Sequence, residues 1–386
     1  MRALALVLCL APAAAFADER AFLAAEIAGS GIARSGPADA LAGQPVVVHL
    51  VVPLSGGRYL TSAPALVVRG RRVPTAALVR PGPGQSAAWS RIEPRMFHVD
   101  RSGPEPRPLA YSNSVLFGPS HGRWRGVDPI EYFESPFAAG GFSRTLRDAR
   151  PSDRRFDVHG GLGVMHLSAV ATVDGRSVAT PGLETAQPSG IGDEVFRVTF
   201  RAGDDFRGWL TSFHNVPNVF GSSGRGGHHQ TARYVGTDCA DVLLGALRRA
   251  TRRPYEFTSV GGLSRLTRTI AEVRLLPDGI SDAEGHPVRL RFGRDVLPGD
   301  VVMIDYGVAE IPRPWAHVGV LWDDRSHDDP GAPDGLFGPE DGLAHTAFLQ
   351  GLSVQPLGSQ APSRIRIVRW NAGVSRALER STPPRS

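Results

Sequence analysis

The chain has 386 residues and a formal net charge of +5, and all 43 of its basic side chains are arginine. They are scattered, with only short clusters such as Arg69-Gly70-Arg71-Arg72 and Arg248-Arg249. This argues against a nucleic-acid surface and leaves room only for weak attraction to an anionic polymer such as cell wall. The length suffices for two domains with real cores, and no run after the N-terminus is long enough to cross a bilayer.

The first 17 residues read as a secretory signal: Met1-Arg2, an apolar run from Ala3 to Ala15, then Ala15-Phe16-Ala17 as a small-residue cleavage site before Asp18. Cys9 lies in that run and leaves with it, so the expected exported protein carries one cysteine, Cys239, and no internal disulfide.

From Asp18 to about Gly36 an alanine-rich segment predicts a short helix with Phe22, Leu23, Ile27 and Ile32 on its apolar side. Strand patterns follow at Pro45 to Val52, Ala65 to Val68 and Val73 to Val79, separated by glycine and proline. Residues 103–151 read as an irregular, proline-rich and aromatic stretch that packs on a sheet. Strands resume at Arg155 to Val158, at Gly163 to Val173 and at Val195 to Phe200, with an Asp174-Gly175 hairpin turn between Val170 and Ala179. Residues 18–203 are therefore expected to form a β-rich, sandwich-like domain.

A boundary is expected near Gly203, where Asp204-Asp205 can cap a helix bearing Phe206, Trp209, Leu210 and Phe213. The glycine-rich run Gly221 to Gly227 then leads to Thr237-Asp238-Cys239-Ala240-Asp241. Thr237 or Asp238 suits an N-cap, and Ala240, Leu243, Leu244 and Leu247 recur at helical spacing. Cys239 falls in the first turn, where the helix dipole favours a thiolate. It reads either as a nucleophile or as a small buried hydrophobe.

Downstream, Leu297 to Ile304 is a turn feeding a strand, and Trp315 to Trp322 is a second strand. Alternation puts His317, Gly319 and Leu321 on one face, with space expected beside His317 because Gly319 has no side chain. A third strand, Leu343 to Phe348, presents His345. Cysteine, histidine and a polar orienting group suit thiol acyl chemistry. The pair His228-His229 has no metal-motif spacing, the acidic stretch 323–342 lacks the spacing of an EF-hand loop, and no cofactor motif occurs. The basic tail, 376–386, with Pro383-Pro384, is expected to be loose after its first few residues.

The run Asp238-Cys239-Ala240-Asp241, then Leu297-Pro298-Gly299-Asp300-Val301-Val302, then His317-Val318-Gly319-Val320-Leu321, then Ala344-His345-Thr346 resembles the NlpC-like peptidases, papain-fold enzymes that cleave bacterial cell-wall peptides. The resemblance covers about 204–370. It implies an α+β fold in which residues 204–375 form a papain-like domain, the Cys239 helix packed on an antiparallel sheet. It also implies Cys239 as nucleophile, His317 as general base, His345 as its orienter, and peptidoglycan peptides as substrate. Asp241 stands where that family has glycine, and Tyr234 lies nearer the cysteine than the family's tyrosine does. Two other expectations stay open. One is a transglutaminase-like enzyme with Asp323 or Asp324 as third member; the other is a non-catalytic envelope-binding protein. Oligomeric state is not legible.

Overall fold

A computed structural model of the protein describes residues 20–77, 86–101, 103–113, 128–173, 175–223, 229–307, 315–327, 329 and 331–381. The expected signal segment with Cys9, the Gly224 to Gly227 run, His228, Asp328 and the end of the tail lie outside the described residues. The fold is mixed α and β with strands predominating. Among the described residues no helix is long and apolar enough to cross a membrane.

The strands and helices that position the candidate site are numbered in chain order. Strand β1, Phe22–Ile27, replaces the helix expected there. Alanine favours a helix by only a few tenths of a kcal/mol per residue, roughly, over most residues. Pairing of Phe22 with Val51 through Ile27 with Val46 on β2, Val46–Leu54, overrides that preference. The left-handed backbone of Ala28, Gly29 and Gly31 then turns the chain. A second sheet holds β3 (Ser86–Pro94), β4 (Tyr132–Gly140), β5 (Gly163–Val173) and β6 (Phe196–Arg201). The two sheets share one core, in which Val46, Val48, Leu50 and Val52 meet Trp89, Leu167, Ala169, Val198 and Phe200. Each such side chain contributes about 1.5–3 kcal/mol when fully buried.

Two further expectations in this half are corrected. The 103–151 stretch is not irregular throughout, because β4 pairs with β3 along its length and shifts register between Pro136 and Ala138. Proline, which has no N–H to donate, is tolerated at such a bulge on an edge strand. Arg155 to Val158 is not a strand. The Asp153 side chain accepts from Arg155 N at 3.0 Å and caps a 3-10 turn, Arg154–Phe156. The two strands of the expected hairpin do pair, with Val173 opposite Arg176, while its turn residue Asp174 lies outside the described residues.

Asp205 caps α1, Phe206–Thr211, by accepting from Gly208 N at 2.7 Å. Helix α2, Cys239–Thr251, has buried residues around its whole circumference, including Val242, Leu243, Leu244, Ala246 and Leu247. A helix apolar on all sides has to lie inside the protein. Close approach is allowed by Gly245, where a Cβ would stand 2.7 Å from Phe213 Cζ.

One side of α2 meets an eight-stranded sheet that includes β7 (Thr267–Leu276), β8 (Val301–Asp305), β9 (His317–Leu321), β10 (Gly342–Ala347), β11 (Gly351–Pro356) and β12 (Arg364–Trp370). These run in the order β7, β12, β8, β9, β10, β11, all pairs antiparallel. Val318, Val320 and Ala344 pack toward α2, while Leu321 and Leu343 fill a separate core on the opposite face. The first residues of the tail belong to α3, Ala372–Ser381, which buries Val374 and Ala377. Asn371 caps it, its Oδ1 accepting from Gly373 N and Val374 N at 3.1 Å each.

Candidate active site

The start of α2 is built around two carboxyls. Asp238 is the N-cap, its Oδ1 accepting from Ala240 N at 3.1 Å and Asp241 N at 2.9 Å, its Oδ2 from Gly221 N at 3.2 Å. Asp241, 3% exposed, accepts from Ser222 Oγ at 2.6 Å and Ser223 N at 2.9 Å. Ser222 Oγ in turn accepts from Asp238 N at 3.2 Å and lies 2.9 Å from Thr231 Oγ1. The residue that departs from the resembled family thus ties the 221–223 turn to the first turn of the helix. Burial and mutual repulsion push the Asp238 carboxyl up to about 7, and burial raises that of Asp241 as well.

Cys239 opens α2, half-buried and unpaired with any other cysteine. Its backbone N–H has no partner among the described residues, as expected for a first-turn donor. The backbone N–H of Val318, next to His317, is near enough to act on the thiol, while among the described residues no hydrogen bond joins the sulfur to the His317 ring. The expected lowering of the thiol pKa does not emerge. Burial pushes it up, and the Asp238 and Asp241 carboxyls add to that; the N–H groups of Val318 and Ala240 act the other way. Burial first, and then the negative charge of the cap and its neighbour, thus oppose the helix dipole and favour the protonated thiol.

His317 begins β9 and His345 lies in β10. The strands pair at Val320 with Ala344 and Leu321 with Leu343. Extending that register puts the two histidines on one face as diagonal neighbours. His317 Nε2 is 2.9 Å from His345 Nδ1, with the rings edge to face at 88°. The open space expected at Gly319 is filled, since a Cβ there would stand 2.7 Å from Leu343 Cγ.

The chain of contacts continues to a residue that the sequence did not single out. His345 Nε2 lies 3.2 Å from Gln355 Oε1, which also accepts from Gln360 Nε2 at 3.1 Å, while Gln355 Nε2 donates to Gln350 Oε1 at 3.3 Å. These contacts assign the tautomers. A carbonyl oxygen only accepts, so His345 carries its proton on Nε2 and its Nδ1 accepts from His317 Nε2–H. The lone pair of neutral His317 is then on Nδ1. Neutrality is favoured throughout: burial, then His345, pushes the His317 imidazole down to about 3, and burial lowers His345 despite Gln355. Tyr306, also missed, stacks near His317 with centroids 6.5 Å apart, and burial, then the Cys239 charge, pushes its phenol up to about 12. Strand alternation would put Ser353 and Gln355 on one face, but only the pairing of His345 with Ser353 reveals that this face is the one His345 occupies.

The remaining candidates fall elsewhere. Tyr234 is a core residue, stacked 4.3 Å from Phe213 with its hydroxyl 2.9 Å from Ser212 Oγ. His229 is exposed, without a capping contact from its side chain. Asp323 pairs with Arg325, and Asp324 accepts from Asp334 N at 3.1 Å and Gly335 N at 3.0 Å. Asp341 accepts from Arg325 N and Gly338 N, so the acidic stretch braces its own loop. Among the described residues no cluster of three histidine, cysteine or acidic side chains could hold a metal ion.

Compared with protein-family models, with curated proteins and with solved structures, the chain matches none.

Proposed function

We propose that the protein is an exported cysteine hydrolase of papain-like design that cleaves amide bonds in the peptide part of peptidoglycan. The observation that carries this reading is the chain from His317 through His345 to Gln355, which leaves His317 Nδ1 as the free base on the strand whose Val318 N–H acts on the Cys239 thiol. The choice of peptidoglycan rests on the resemblance of the residues around Cys239, Pro298 to Asp300, His317 and His345 to the NlpC-like peptidases, and export on residues 1–17.

The reaction starts from the neutral pair. His317 Nδ1 takes the thiol proton as the sulfur attacks the amide carbon, so no free thiolate has to persist beside Asp238 and Asp241. The oxyanion is received by the Cys239 N–H, a class of contact whose loss costs about 2.7–4 kcal/mol in other enzymes. As the C–N bond breaks, His317 returns the proton to the leaving amine and a thioester remains. Water then attacks the thioester, giving its proton to His317, and collapse releases the carboxylic acid and restores the thiol. His345 and Gln355 hold the ring in the tautomer that presents Nδ1.

The test is digestion of purified peptidoglycan by the wild type and by Cys239→Ala. Release of soluble peptide fragments by the wild type, reduced by about 10³-fold or more in the variant, supports the reading; equal release by both removes it.

A further inference from the structure

A cavity of about 330 Å³ lies at the C-terminal end of α2, the end opposite Cys239. Along the helix the two are roughly 18 Å apart. Gly245 forms part of its floor and brings the helix against Phe213 and Thr231, since a Cβ there would stand 2.7 Å from Phe213 Cζ and 2.9 Å from Thr231 Cγ2. Residues three and four apart share a helix face, so Arg248 and Arg249 rise beside Gly245. The left-handed backbone of Arg252, φ 55°, then turns the chain, and Arg253, Pro254 and Phe257 complete the wall. Four arginines thus line one cavity, and Cys239, His317 and His345 do not.

Little on the protein answers this charge. Arg249 is 3.5 Å from Asp39 Oδ2 and donates to the Ala232 carbonyl at 3.4 Å, but Asp39 is shared with Arg197, 3.5 Å from its Oδ1, and with the Thr199 hydroxyl. Arg248, Arg252 and Arg253 have no ion pair among the described residues, and Arg252 and Arg253 are exposed. Glu256, the acidic residue nearest in sequence, is exposed, is not part of the wall and pairs with none of them. Basic side chains commonly offset a helix C-terminus, but that end carries only about half a negative charge. Four positive charges therefore face at most about one and a half negative ones. Arg248 stacks with its Cζ 4.7 Å from the centre of the Phe257 ring, which occupies the face of the guanidinium and leaves the N–H groups at its edge free to donate.

We propose that this cavity binds a small organic phosphate monoester. A carboxylate brings one charge and two oxygens. A phosphate monoester brings about 1.5–2 negative charges at pH 7 and three terminal oxygens, a match for the three guanidinium groups of Arg248, Arg252 and Arg253. Phe213, Pro254 and Phe257 supply apolar wall for the organic body. The site is separate from the Cys239 chemistry and does not depend on the hydrolase reading.

Titration calorimetry of the full chain at about 0.1 M salt, where attraction between distant exposed charges is screened, tests this with phenyl phosphate, benzoate and inorganic phosphate. Phenyl phosphate should saturate one site and bind at least tenfold more tightly than benzoate, which has the ring but a single charge, and more tightly than inorganic phosphate, which lacks the ring. The double variant Arg252→Gln, Arg253→Gln, with wild-type circular dichroism, should weaken phenyl phosphate at least tenfold. The double variant Arg71→Gln, Arg72→Gln removes the same charge from exposed residues outside the cavity and should leave affinity unchanged. No saturable binding, benzoate or inorganic phosphate binding as tightly as phenyl phosphate, or equal weakening by the two double variants would overturn the proposal; should the Arg252, Arg253 variant not fold, the comparison of the three ligands decides.

Discussion

Gln355 Oε1 lies 3.2 Å from His345 Nε2, and through that contact fixes which nitrogen of His317, two rings away, carries a lone pair. Gln355→Ala removes an acceptor for a neutral donor, a change of about 0.5–1.5 kcal/mol, or roughly two- to tenfold in rate. His317→Ala removes the base itself and should cost about 10²–10⁴-fold. Nitrogen-15 shifts of the imidazoles separate positioning from simple damage. In the wild type His317 should read as the Nε2–H tautomer, and Gln355→Ala should mix the tautomers of His345 while the fold stays intact.

Thiol reactivity follows from the charges at the helix start. Because burial, Asp238 and Asp241 push the Cys239 thiol up, alkylation by iodoacetamide at pH 7 should be slower than that of a free thiol such as glutathione. Asp241→Asn keeps an acceptor for Ser222 and Ser223 but removes a charge, and should speed the reaction. Alkylation faster than glutathione would mean that a preformed thiolate exists.

Asp241→Ala differs from Asp241→Asn because it leaves the Ser222 hydroxyl and Ser223 N–H without their acceptor. The expected loss of stability is about 1–3 kcal/mol by urea unfolding. The asparagine variant should lose less.

Acid stability has a sign that can be worked out. His49, His159, His166, His214, His317 and His345 all have folded pKa values below the unfolded 6.5, so their contribution is complete above that pH and is lost as pH falls. Asp128, Asp238, Asp241 and Asp341 are raised and act oppositely: their contribution is present below about 4 and lost as pH rises toward 7. Between 6.5 and 4 the two sets largely offset. Below about 4 the histidines act unopposed, at up to roughly 1.4 kcal/mol per pH unit each. Melting midpoints should therefore decline gently from pH 6.5 and steeply under pH 4.

Much of the site was legible because its pieces are local. Asp238 as cap, Cys239 in the first turn and His317 at a strand start each follow from a few neighbouring residues. What required the fold was long-range. Gln355 joins the site through the pairing of β10 with β11, and β1 is a strand, despite its alanines, because β2 lies beside it. The thiol's environment also depends on burial, which a helix-dipole argument omits. The closing helix α3 was missed because its apolar positions, Val374 and Ala377, are few and sit among arginines.

The thioester on Cys239 is the central claim. Acid-quenched mass spectrometry of the protein mixed with peptidoglycan fragments should show an acyl adduct on the peptide containing Cys239, absent in Cys239→Ala and longer-lived in His317→Ala if it forms there at all. Fragment release with no adduct on Cys239, undiminished by Cys239→Ala, would contradict the account.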